Sequence, residues 1–204
     1  MRMNRIVGLS LLIAVLTSSI ALAADKKRPT PPVPEGLSAY APLPAGPGFV
    51  SELRLGGSAH DPSGRESGSA NLTGEVLFAK PFTPADLFAS YFVPRPHVGG
   101  SLNFNSQTNF AYAGLTWTVD VTPRVFVEGS LGGAVHDGHT NPFYVPPDRV
   151  ALGCSPLFRE SGSIGVRLGS SWSVMATVEH LSNAGTCSDN RGLTNVGARL
   201  GYTF

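Results

Sequence analysis

Residues 157–204 read LFRESGSIGVRLGSSWSVMATVEHLSNAGTCSDNRGLTNVGARLGYTF. Three segments of this stretch alternate with a period of two, the spacing of a β-strand whose two faces meet different surroundings. Over 157–168, Ile164, Val166 and Leu168 share one face, and Arg159, Ser161, Ser163 and Arg167 share the other. Over 171–182, Trp172, Val174, Ala176 and Val178 alternate with Ser173, Met175, Thr177 and Glu179. Over 194–204, Val196, Ala198, Leu200, Tyr202 and Phe204 alternate with Asn195, Gly197, Arg199, Gly201 and Thr203.

The pattern continues toward the N-terminus. Leu53 and Leu55 oppose Glu52 and Arg54, and strands are predicted over 49–60, 71–80, 91–105, 108–119 and 124–137. Composition agrees with a sheet that is not an ordinary soluble one. The 204 residues include 24 Gly, with 42% hydrophobic and only 14% charged, where soluble domains carry about 25% charged. The 15 basic and 14 acidic residues leave no cationic excess for nucleic acid. The apolar content excludes disorder for most of the chain, and two cysteines are too few for a disulfide-built scaffold. After residue 24 no apolar run is long enough to span a bilayer as a helix.

A soluble sandwich would bury the apolar rows. The charges on the opposite rows, Arg167 and Arg199 among them, instead suit the polar interior of a small barrel, and the segments have the length of tilted membrane strands. An even count of eight closes the sheet and leaves no edge in lipid. The predicted fold is therefore all-β, an eight-stranded antiparallel transmembrane β-barrel over 49–204. Its closing Gly201-Tyr202-Thr203-Phe204 resembles the C-terminal strand by which barrels are recognised in the bacterial outer membrane. That resemblance implies the barrel assembly machinery as a partner, with Phe204 as the terminal aromatic.

Residues 1–23 have the form of a signal peptide: Arg2 and Arg5, an apolar run from Ile6 to Ile20, and the small-x-small site Ala21-Leu22-Ala23. Cleavage there removes two basic and no acidic residues, so the net charge becomes −1. The Pro-rich stretch 24–48 reads as an extended leader outside the sheet. With both termini in the periplasm, connections 61–70, 106–107, 138–156 and 183–193 face outward, while 120–123 and 169–170 are tight inner turns. The 81–90 connection is longer than an inner turn requires. Cys154 and Cys187 both fall in outer loops, where the exported chain can join them in a disulfide.

The apolar row of 171–182 ends in two polar residues, His180 and Ser182, about 6.6 Å apart on one face. A histidine within reach of a serine hydroxyl is the base and nucleophile of an acyl-transfer site. His180-Leu181-Ser182-Asn183-Ala184-Gly185, followed by Asn190-Arg191-Gly192-Leu193 and the closing strand, resembles the lipid A deacylase family, also grouped as acyloxyacyl hydrolases. The resemblance covers 157–204 in detail and the rest in architecture. It implies an eight-stranded outer-membrane barrel that hydrolyses the ester-linked 3-O acyl chain of lipid A in the outer leaflet. It further implies Ser182 as nucleophile, His180 as general base and Asn183 as oxyanion donor, with no metal or cofactor.

The chain departs from the family at the acid, whose place on the last strand is held here by Thr194. A turn centred near Ser170 makes antiparallel partners sum to about 340, which sets Glu160 opposite His180 on the lipid-facing side. Directly opposed Cβ atoms are about 4.5–5.5 Å apart, so a carboxylate there reaches the ring. Glu160 is the predicted acid, ahead of Asn195, which has the opposite parity, and Asp189, which lies in a loop. Glu179 points inward, with Arg199 or Arg167 as partners. His136 and His139 have no visible third metal ligand, and His60 and His97 have no visible partner. Two other functions fit the same barrel: a phospholipase using the dyad, and a non-catalytic structural protein or small pore that has lost the acid.

Overall fold

The computed structural model describes residues 48–204. The expected signal peptide and all of the leader before residue 48 lie outside the described residues. Eight antiparallel strands form a closed barrel in sequence order: β1 (Val50–His60), β2 (Ser69–Phe78), β3 (Arg95–Asn103), β4 (Phe110–Asp120), β5 (Val125–His136), β6 (Leu157–Arg167), β7 (Trp172–Ser182) and β8 (Leu193–Thr203). Closure runs from Glu52 opposite Thr203 to His60 opposite Asn195, so neither β1 nor β8 leaves a free edge.

Burial is inverted relative to a soluble protein. Leu53, Leu115, Ile164, Val178, Val196 and Leu200 are exposed, whereas Glu52, Arg54, Glu75, Arg159, Glu179 and Arg199 are buried. Apolar rows spread over the whole outer wall require an apolar solvent, and lipid supplies one.

The buried charges cancel. Four glutamates (52, 75, 128, 179) meet four arginines (54, 95, 159, 199) inside the barrel. Arg54 contacts Glu52 at 2.8 Å, Glu75 at 3.2 Å and Glu128 at 2.8 Å. Glu179 accepts from Arg159 at 2.6 Å and from Arg199 at 3.2 Å. The Arg159 guanidinium also lies 3.7 Å from the centre of the Tyr112 ring, an added cation–π attraction. Glu179 thus pairs with Arg199 as predicted. Arg167 is not its partner, because that residue sits near the short-turn end and meets Asp120 at 2.6 Å.

The third strand begins at Arg95 and not at 91. Residues Leu87–Tyr91 form a helix, α1, whose N-cap Asp86 accepts the Ala89 amide at 2.6 Å. This accounts for the long connection between β2 and β3. Phe82, Leu87, Phe88 and Phe92 are exposed there, and the Trp117 indole donates to the Phe92 carbonyl at 3.2 Å. The segment is thereby held against the apolar outer wall of β4.

At the opposite end, the long loops close the mouth. Val150 and Leu152, from the loop between β5 and β6, pack with Phe110, Tyr112, Ala134, Leu157, Leu181 and Leu193 in one buried apolar cluster. Glu66, fully buried in the β1–β2 loop, holds three loops together. It pairs with His60 Nε2 at 2.8 Å and accepts the Thr108 amide at 3.0 Å, the Thr108 hydroxyl at 3.0 Å and the Val150 amide at 3.1 Å. Burial raises the Glu66 pKa, but these hydrogen bonds outweigh it and hold the carboxyl at about 2.

Candidate active site on the outer wall

His180 lies near the long-loop end of β7, on the row continued from Trp172, Val174, Ala176 and Val178. It is paired on both sides. Glu160 of β6 is directly opposite, and Thr194 of β8 is opposite on the other flank. Ser182, two residues further on, faces Phe158. The register therefore brings Ser182, His180, Glu160 and Thr194 to one patch of the outer wall, as the strand arithmetic requires.

Nδ1 of His180 shares a 2.8 Å hydrogen bond with Thr194 Oγ1. A threonine thus holds the ring nitrogen that an acid would hold, and leaves Nε2 for proton transfer. Gly192, with φ of +52°, packs against that side of the ring. A Cβ on Gly192 would lie 2.7 Å from His180 Cε1 and 3.0 Å from Nε2. Only glycine therefore suits the position, both for its backbone and for its contact. No hydrogen bond joins Ser182 to His180 among the described residues, and such bonds often form only around substrate.

Glu160 is exposed on the lipid-facing row and has no hydrogen bond or ion pair among the described residues. Two shallow grooves meet at it. One, of about 390 Å³, runs from His180 and Glu160 past Val178 over Gly162 and Gly129 to Trp117. The other, of about 510 Å³, holds Ser182, Phe158, Ala184 and Leu131. Gly129 and Gly162 are paired neighbours whose missing side chains leave open space on the wall.

Asn183 is placed differently from the resemblance. Its side chain is buried, and its amide nitrogen donates to the Leu152 carbonyl at 2.9 Å and the Asp189 carbonyl at 2.5 Å. Its amide oxygen accepts from Gly185, and its backbone N–H donates to Asn190. Both side-chain hydrogens are spent inside the protein, so this conformation offers none to an oxyanion. The weaker acid candidates are also elsewhere. Asn195 faces the interior toward Glu179, and Asp189 lies in the β7–β8 loop 3.9 Å from Arg191. Cys154 and Cys187 form the expected disulfide between two outer loops. His136 pairs with the Cys154 carbonyl, His97 with Thr116 and His60 with Glu66. The packing of Gly192 on His180 and the loop contacts of Asn183 were not readable from periodicity.

A lipid-facing outer wall, a charge-cancelled interior and long loops at one end define a bacterial outer-membrane β-barrel. The crystal structure of the outer membrane enzyme PagL has the same fold, with a TM-score of 0.58 at 14% identity over 76% of this chain and 100% of that one. Residues 114–203, from within β4 to the end of β8, match the family described as lipid A 3-O-deacylase (PagL), so this stretch of the chain is similar to that family. A de novo designed transmembrane β-barrel also matches, with a TM-score of 0.49 at 13% identity over 76% of this chain and 96% of that one. So does the Yersinia pestis outer membrane protein Ail, at 0.44 and 9% over 76% and 99%. No curated protein matches the chain in sequence.

Proposed function

We propose that this barrel is an esterase that removes an ester-linked acyl chain, at the 3-O position, from lipid A in the outer leaflet. The observation that carries the reading is the convergence of Ser182, His180 and Glu160 on one lipid-facing patch where grooves meet. Ser182 Oγ attacks the ester carbonyl while His180 Nε2 takes its proton; the ring then returns the proton to the departing sugar oxygen. Water hydrolyses the resulting acyl-serine by the same route.

Thr194 fixes the ring through Nδ1, and Glu160, on the other flank, supplies the negative charge that stabilises the imidazolium. In an apolar surrounding an opposed carboxylate acts strongly. The developing oxyanion is assigned to the backbone N–H of Ala184, which lines the Ser182 groove; Asn183 shapes the loop that presents it. The acyl chain lies along the groove over Gly162 and Gly129. A carboxylate on a lipid-facing wall is costly unless it is used, which favours this reading over a barrel that has lost its acid. The packed long-loop mouth, above four acids paired with four bases, also argues against a pore.

Mass spectrometry of lipid A from cells producing wild type or Ser182→Ala tests the proposal. Loss of one hydroxyacyl mass with wild type alone is expected; unchanged lipid A in both would refute it.

A further inference from the structure

Resting on that reading, we infer that the β5–β6 loop positions the catalytic strand from inside the barrel. Residues 150–154 act as a wedge, with Leu152, Gly153 and Asn183 as positioning residues. The wedge is apolar on its inner side. Val150 and Leu152 are buried against Leu181 and Leu193, and these two are paired across β7 and β8. Leu181 separates His180 from Ser182, and Leu193 separates Gly192 from Thr194. Because side chains alternate across a strand, the inward leucines that the wedge supports lie between the four outward residues of the site.

Its polar edge grips the β7–β8 loop. Asn183 donates to the Leu152 carbonyl at 2.9 Å, and the Cys154–Cys187 disulfide joins the same two loops. Gly153 has φ of +81°, and a Cβ there would strike the Asp189 carbonyl oxygen and approach Asn183 Nδ2 at 2.8 Å. The two loops therefore interlock at a point that admits no side chain. The gripped loop ends in Gly192, which lies on the His180 ring. The wedge is itself anchored, since the Val150 amide donates to buried Glu66 and the Leu152 amide to the His139 carbonyl at 2.8 Å. A closed chain of contacts thus runs from the plugged mouth to the imidazole, and packed interiors transmit displacement instead of absorbing it.

The test uses the whole barrel in detergent micelles carrying Gly153→Ala or Leu152→Ala, with Leu152→Met as the conservative control. Strand circular dichroism and heat-dependent gel migration report folding. In the folded variants kcat falls about 10–100-fold, the scale of a small misplacement of catalytic groups, while KM stays within about twofold and Leu152→Met recovers most of the rate. Nitrogen-15 NMR of the His180 ring supplies a readout independent of turnover, and the hydrogen-bonded Nδ1 signal is lost or shifted in Gly153→Ala. Folded variants with wild-type kcat and an unchanged ring signal would overturn the inference and leave the esterase reading standing. An inactive wild type would sink the esterase reading, and the ring signal would still decide the positioning role.

Discussion

Glu179 and Glu160 sit one residue pair apart on neighbouring strands, yet on opposite sides of the barrel wall. Glu179 is buried inside, with two arginines on its carboxylate. Glu160 faces outward beside His180 with no cation on it among the described residues. Every other glutamate on the inner wall resembles Glu179: Glu52, Glu75 and Glu128 each meet arginine. A charge that is fully compensated serves the fold, because its partners offset the desolvation that burial costs. A charge left uncompensated on a lipid-facing wall has no structural use, and its neighbour is the one histidine of that row. The contrast separates a structural carboxylate from the one proposed to be catalytic by their partners.

The largest effect comes from breaking the inner side. Glu179→Ala leaves Arg159 and Arg199 without their shared acceptor in the interior. Removing one member of a buried ion network costs about 3–5 kcal/mol. Urea unfolding of the refolded barrel in vesicles is expected to show that loss. A midpoint equal to wild type would mean that the interior charges are hydrated and not paired.

The outer side behaves in the opposite way. Glu160→Ala leaves the unfolding midpoint near wild type but lowers kcat about a hundredfold, equivalent to about 2.7 kcal/mol of transition-state stabilisation. Thr194→Ala removes only the neutral partner of Nδ1 and lowers kcat several-fold less. Equal rates in the two variants would take Glu160 out of the mechanism and leave the imidazolium to Thr194 alone.

The residues show why the site was partly legible in sequence. Strand alternation depends on period two alone, so the faces of 157–168, 171–182 and 194–204 and the pairing of Glu160 with His180 followed from the tight turn at Gly169–Ser170. Contacts made by loops obey no such period. The family resemblance implies Asn183 as the oxyanion donor, but the carbonyl that claims its amide belongs to Leu152, 31 residues away. The α1 helix was hidden for a related reason. Leu87–Tyr91 is a single short turn whose only local signal is the Asp86 cap, and its apolar residues resemble a strand entering lipid. Glu66 gave no signal at all, since its partners come from the end of β1 and from two further loops.

Glu66 is the intermediate case, a carboxylate buried as deeply as Glu179 but satisfied by backbone amides and hydroxyls plus one histidine, not by arginine. Its pKa in the folded protein is about 2, below the ordinary value of 4.5. The folded state therefore binds its proton less readily than the unfolded chain does, and the resulting stability is fully present above pH 4.5. It is lost as pH falls from 4.5 toward 2: the full shift is worth about 3 kcal/mol, of which about 2 kcal/mol is lost by pH 3. Protonation there loosens the amides of Thr108 and Val150, and so the wedge, before it disturbs the strands. Hydrogen exchange at pH 3 and pH 6, with each rate taken relative to its intrinsic rate at that pH, is expected to show lower protection at 108 and 150–152 at the lower pH, with the protection of the inner pairs of β7 and β8 unchanged. In Glu66→Gln, which carries no titrating proton, the pH dependence at those amides disappears; if it persists, the acid sensitivity of the mouth belongs to another group.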